Sequence, residues 1–186
     1  MKRNARYLTQ AAVIAAAYLV LTLPFAQFAF GQIQFRLSEA LTVLAALTPA
    51  AIPGLFLGCL LTNTLFPSGL GIIDIIFGSL ATLLAAWLTW SLQRWFSGRR
   101  SGHAQKRLWF QRIIILLPAA VVNALVVGFY LPFLIPDIQT IPIVIAGFML
   151  SIFVSECIVI YLIGLPLMLT LQKTGLMAHL GHQKEG

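Results

Sequence analysis

Apolar runs occupy positions 8–30, 37–48, 52–66, 72–95, 112–133 and 142–171, and most of the charges lie between or beyond them. About 20 apolar residues match the hydrocarbon thickness of a bilayer. Inside that layer the backbone must satisfy its own hydrogen bonds, which a helix does. The balance of residue types agrees: 60% are hydrophobic and 9% charged, against roughly 25% charged in a soluble domain. The expected fold class is all-α, an integral membrane bundle of six transmembrane helices. The 186 residues then form a single membrane domain, with no room for a separate soluble one.

The placement of the net charge of +7 sets the topology. Lys2, Arg3 and Arg6 precede the first run. Arg94, Arg99, Arg100, Lys106, Arg107 and Arg112 flank or fill the polar loop at 96–111, and Lys173 and Lys184 follow the last run. Basic residues concentrate on the cytoplasmic face of a membrane, so both termini and this loop are read as cytoplasmic in a multi-pass protein of the cell membrane. The second and third runs are interrupted only around Pro49 and Pro53. Joining them would place the basic loop opposite the basic N-terminus, whereas splitting them puts every basic cluster on one side. The second span is then short, since positions 37–52 cover only ~24 Å as an α-helix. Such a span needs neighbouring helices around it.

Other readings of the composition fall away. The basic loop shows no fold of its own, so no nucleic-acid partner is expected. The N-terminal basic cluster and apolar run resemble a secretory leader, but no small-residue cleavage pattern follows, and the segment is read as a retained span. Cys59 and Cys157 both sit in apolar runs and give neither a disulfide framework nor metal-ligand spacing. His103, His179 and His182 all lie in cytoplasmic segments away from the buried acids. Metal or triad chemistry therefore lacks its parts, and neither an enzyme nor a cofactor is expected.

The informative residues are polar groups within or beside the apolar runs. Polar side chains in hydrocarbon need a partner or a solute. With six spans, Arg36 and Glu39 sit at the outer end of the second helix, Asn63 near the outer end of the third, and Asp74 at the outer start of the fourth. Asn123 and Glu156 fall about midway along the fifth and sixth. The cytoplasmic halves are nearly bare of such groups, so the set implies a pocket opening outward. Carboxylates accept hydrogen bonds, while side-chain amides both donate and accept. That combination suits a guanine-like edge, and a cationic amine would also suit Glu39, Asp74 or Glu156. Phe28, Phe30, Phe35 and Tyr130 could stack on a flat ring.

Plainer roles remain open for each. Arg36 and Glu39, three apart, could pair with one another. Asp74 could serve the start of its helix, Asn123 and Glu156 could bond across two helices, and the aromatic residues could form an interface belt. On the first run, Ala11, Ala12, Ala15 and Ala16 form a smooth face where another helix can approach, inside the bundle or from a partner. Gly54 and Gly58 carry the same ambiguity on the third.

The segment Gly31-Gln32-Ile33-Gln34-Phe35-Arg36-Leu37-Ser38-Glu39-Ala40-Leu41-Thr42 resembles the QueT family of membrane proteins. Pro49-Ala50-Ala51-Ile52-Pro53-Gly54 and Asp74-Ile75-Ile76-Phe77-Gly78-Ser79 extend the likeness, which runs from about Ala12 to Leu171. The resemblance implies a substrate-binding S component of an energy-coupling factor (ECF) transporter, taking queuosine precursors or related 7-deazapurines from outside. It implies docking on a T component driven by two ATPase subunits, with Ala11, Ala12, Ala15 and Ala16 matching the small-residue face that meets the T component. It also brings Gln34 into the pocket beside Arg36 and Glu39. The sequence holds no Gly-x-x-x-x-Gly-Lys-Ser/Thr segment, so any ATP dependence must come from partners. The alternative is a self-sufficient proton-coupled secondary transporter using Asp74 or Glu156, against which the bare cytoplasmic halves argue.

Overall fold

In the computed structural model, residues 2–25, 36–65, 71–98, 105–136 and 138–174 are described. Gln34 and the loop aromatics Phe28, Phe30 and Phe35 lie outside them. Six apolar helical segments follow in order: α1 (Lys2–Thr22), α2 (Leu37–Ala46), α3 (Ala51–Leu65), α4 (Gly71–Gly98), α5 (Gln105–Leu134) and α6 (Pro142–Lys173). They overlap the hydropathy runs, but α1 covers Lys2–Thr22 where the run covers 8–30, and α5 begins at Gln105, inside the stretch expected as a polar loop. Four contain stretches long and apolar enough to cross a bilayer, namely Asn4–Thr22, Gly71–Gly98, Leu108–Leu134 and Pro142–Lys173; α2 and α3 are shorter.

Proline punctuates these boundaries for backbone reasons. Pro24 lies in the single 3-10 turn, Leu23–Phe25, that ends α1, and a proline disfavours helical geometry in the residue before it. Pro53 lies in the first turn of α3 and Pro142 at the first position of α6, where the missing N–H costs no intrahelical bond. Between α2 and α3 the chain turns at Thr48–Ala50, with Ala51 N–H donating to the Thr48 carbonyl at 3.2 Å. The split expected around Pro49 and Pro53 is therefore real.

Helix α2 resolves the problem of the short second run. It is wound as a 3-10 helix over ten residues, a form that rises about 2.0 Å per residue and so spans ~20 Å where an α-helix would span ~15 Å. Long 3-10 runs are uncommon because their hydrogen bonds are poorer, so this one must be held from outside. Eight of its ten residues are buried. Val43 and Ala46 join the larger apolar core with α4, α5 and α6, while Leu41 and Ala45 join a second core with α1 and α3. The helix thus runs through the middle of the bundle.

Close approach elsewhere depends on glycine. A Cβ at Gly54 would meet the Ala11 carbonyl oxygen at 2.8 Å, and one at Gly58 would lie 2.6 Å from Tyr18 Cβ. A Cβ at Gly128 of α5 would lie 2.7 Å from Met149 Cα of α6. These contacts divide the alanine face of α1. Ala11 and Ala15 are buried beneath α3, whereas Ala12 and Ala16 face outward. Of the four alanines expected to meet a partner, one pair is thus packed within the bundle and the other is exposed. Outward faces of the helices carry residues such as Val13, Ile72, Ile143 and Leu162, as a lipid-facing surface requires.

Candidate functional site

Arg36, Glu39, Asn63, Asp74, Asn123 and Glu156 all lie inside the bundle, each no more than 6% exposed. They form a chain of contacts drawn from α2 to α6 and the residue preceding α2, completed by a tyrosine of α1. On α1, Tyr18 donates its hydroxyl to Glu39 Oε1 at 2.5 Å, and Thr82 of α4 approaches the same oxygen at 3.5 Å. Asn123 also neighbours Glu39, and its Nδ2 donates to Glu156 Oε1 at 3.1 Å. The interhelical bond between Asn123 and Glu156 is thus present, and it occupies one carboxylate oxygen only.

A second group adjoins the first through Arg36. Its guanidinium pairs with Asp74 Oδ2 at 3.5 Å and faces Cys59 Sγ at 3.8 Å. Tyr130 of α5 donates to Asp74 Oδ1 at 2.5 Å, and Asn63 Nδ2 donates to the Asp74 carbonyl oxygen at 3.1 Å. Two of the plainer sequence readings bear on these groups. Arg36 precedes α2 with extended backbone, φ −101° and ψ 100°, and its ion pair reaches Asp74 while its charge also acts on Glu39. Asp74 lies in the first turn of its helical segment, and its carboxylate also meets Arg36 and Tyr130.

Local backbone geometry favours this convergence. Asp74–Gly78 forms a π-helical turn within α4, and Val159–Gly164 forms another just past Glu156 in α6; such bulges are frequent at functional sites. Gly164 lets α6 lie against α2, since a Cβ there would sit 2.9 Å from the Ala40 carbonyl oxygen. At Gly78 the missing side chain leaves space in the site itself: a Cβ would meet Asn63 Nδ2 at 3.1 Å, Tyr130 Oη at 3.3 Å and Asp74 Oδ1 at 3.4 Å. The ring of Phe77 lies 6.3 Å from that of Tyr130, offering aromatic surface beside the polar groups.

Two properties define what this arrangement can do. Glu39 Oε2, Asn63 Oδ1 and Glu156 Oε2 are buried without a hydrogen-bond partner, and such atoms are costly unless something donates to them. All three are acceptors. In addition, three buried acids share Arg36, the one buried cation among the described residues. The cluster therefore presents unpaired acceptors and an excess of acidic groups over cations.

Comparison with known proteins fixes the family. A sequence model of the QueT transporter family matches residues 8–173. This chain belongs to that family. The Queuosine precursor transporter QueT of Lactococcus lactis subsp. cremoris is 33% identical over 87 residues, covering 45% of this chain and 50% of that relative. The chain's match thus spans about half the length of its curated relative. No solved structure matches. The family is described as one of transporters, and the long apolar helices of this chain suit a membrane protein.

Sequence reasoning missed Tyr18 and Thr82, and it read Tyr130 as a stacking surface only. For Tyr18 a signal existed: Ala11, Ala15, Tyr18 and Thr22 follow helical spacing along one row of α1, so a hydroxyl stood on the buried stripe. Thr82 offered no such signal, because threonines commonly bond their own helix, as this one does to the Gly78 carbonyl at 3.2 Å.

Proposed function

We propose that this chain is the substrate-capture S component of an ECF-type importer, a cell-membrane protein with six spans and both termini in the cytoplasm. It binds a queuosine precursor or related 7-deazapurine from outside and delivers it through a T component and two ATPase subunits. The observation that carries this reading is the enclosed polar cluster with unpartnered acceptors on Glu39, Asn63 and Glu156. A guanine-like edge supplies two adjacent N–H donors to a carboxylate and a carbonyl oxygen to an amide such as Asn123. Three acids against one guanidinium further favour a guest bearing an amine, whose charge compensates their dehydration. Arg36, Asp74 and Tyr130 complete the set, and we also assign Gln34 to the pocket.

Calorimetry on the purified chain tests the capture step, using 7-aminomethyl-7-deazaguanine, 7-deazaguanine and guanine. Binding of the aminomethyl compound, with weaker binding of the other two, is the expected result; no binding of any of them ends the reading. Proteoliposomes holding only this chain test the energy source. Accumulation driven by a proton gradient would replace the S-component assignment with a secondary transporter.

Docking on the T component falls to the outward pair Ala12 and Ala16. Ala16→Trp adds bulk to that surface without touching the α3 contact of Ala11 and Ala15. It should abolish uptake in cells carrying the whole importer while leaving solute affinity of the purified chain unchanged. Native uptake by Ala16→Trp would remove this face from the interface.

A further inference from the structure

We propose that a cleft between the ends of α4, α5 and α6 distant from the Glu39 cluster binds the phosphate of an anionic phospholipid headgroup. The cleft encloses about 310 Å³ and is lined by Gln93, Ser97, Gln111, Arg112 and Gln172 above the apolar Met168. Arg112 anchors it. One guanidinium nitrogen donates to Gln172 Oε1 at 3.2 Å, which fixes the head group while leaving most of its five N–H donors for a ligand. Because that bond uses the carbonyl of Gln172, the amide nitrogen of the same side chain remains as a further donor. Gln93 likewise donates to Ser97 Oγ at 3.4 Å, so the lining is organised and, among the described residues, bears a single formal charge, positive.

Nothing acidic competes for that charge from these helices. No Asp or Glu occurs at positions 75–136 or 157–184. A planar guanidinium flanked by neutral amide donors matches a phosphodiester, which offers several acceptor oxygens around one negative charge.

The surroundings say where the phosphate comes from. Arg112 stacks on Trp109 at 5.5 Å from the ring centroid and Arg94 on Trp90 at 4.9 Å, while Trp95, Trp109 and Phe110 are exposed. Amphipathic aromatic rings and snorkelling arginines gather at the headgroup level of a bilayer. Leu108 and Ile113, exposed beside the cleft, offer apolar surface where acyl chains would run. The cleft thus sits at the depth of lipid phosphates with hydrocarbon contact adjoining it.

Native mass spectrometry of the full chain, exchanged into detergent with phosphatidylglycerol or phosphatidylcholine, tests the proposal. The native chain should retain phosphatidylglycerol preferentially. Arg112→Gln should lower that retention about tenfold, as expected for loss of a charged hydrogen-bonding group. Arg112→Lys should restore part of it, and Arg94→Gln, outside the lining, should stay near the native level. Melting curves in detergent establish that each variant is folded. Equal retention of both lipids, unchanged retention by Arg112→Gln, or equal losses from Arg94→Gln and Arg112→Gln would each overturn the site. Displacement of the lipid by millimolar inorganic phosphate would overturn the lipid as its source.

Discussion

Glu39→Gln should weaken solute binding by roughly tenfold to a hundredfold while leaving the bundle folded, and Glu156→Gln should behave likewise. The asymmetry comes from the two oxygens of each carboxylate. Glu39 Oε1 accepts from Tyr18 and Glu156 Oε1 from Asn123, and a glutamine carbonyl can keep either bond. The orphaned Oε2 atoms instead become N–H₂ groups, turning acceptors into donors that oppose the donors of the guest. A hydrogen bond to a charged group is worth about 1.5–3 kcal/mol, which sets the size of the loss. Folding should be little affected or even improved, because a buried amide has a smaller desolvation penalty than a buried carboxylate. Calorimetry paired with a melting curve checks both halves. Unchanged affinity in both variants would relegate these acids to helix packing.

Gly58→Leu should prevent accumulation of folded protein, and Gly58→Ala should cost about 1–3 kcal/mol, the usual penalty for overpacking. A Cβ at this position lies 2.6 Å from Tyr18 Cβ and 3.1 Å from the Ala15 carbonyl oxygen, so α1 must move away from α3. The displacement reaches the site directly, since Tyr18 is the residue that holds Glu39. Gly58→Ala should therefore lose affinity as well as stability. Gly147→Ala supplies the contrast: nothing lies within 4 Å of a Cβ there, and exchanging a helical glycine for alanine should raise stability by about 0.5–1 kcal/mol. Thermal melting and solute titration of the three variants read these effects. A Gly58→Ala protein as stable as Gly147→Ala would mean that α1 and α3 are not locked at this point.

Which residues share the interior was legible before any coordinates. Burying Glu39, Asn63, Asp74, Asn123 or Glu156 in hydrocarbon is expensive wherever it happens, so their occurrence in or beside apolar runs already marked them, and all five lie inside. The approximate positions of the apolar segments follow from the same arithmetic of transfer and from proline, which acts on its immediate neighbours. Family membership was legible too, because the segments that carry it are contiguous.

Partner choice was not legible, since it depends on rotation about helix axes and on residues far apart in sequence. Arg36 meets Asp74 across 38 positions, and Tyr18 meets Glu39 because α1 turns one stripe toward the middle of the bundle. The same rotation separates Ala11 and Ala15 from Ala12 and Ala16: adjacent residues on a helix stand about 100° apart, so a neighbour that covers one pair leaves the other outside. The 3-10 winding of α2 is likewise a tertiary decision, imposed where a ten-residue segment is gripped on nearly every side. The chain alone thus determined which groups leave water, through costs each residue carries by itself. Only the packed bundle decided which groups meet, because that depends on distances no single stretch of sequence contains.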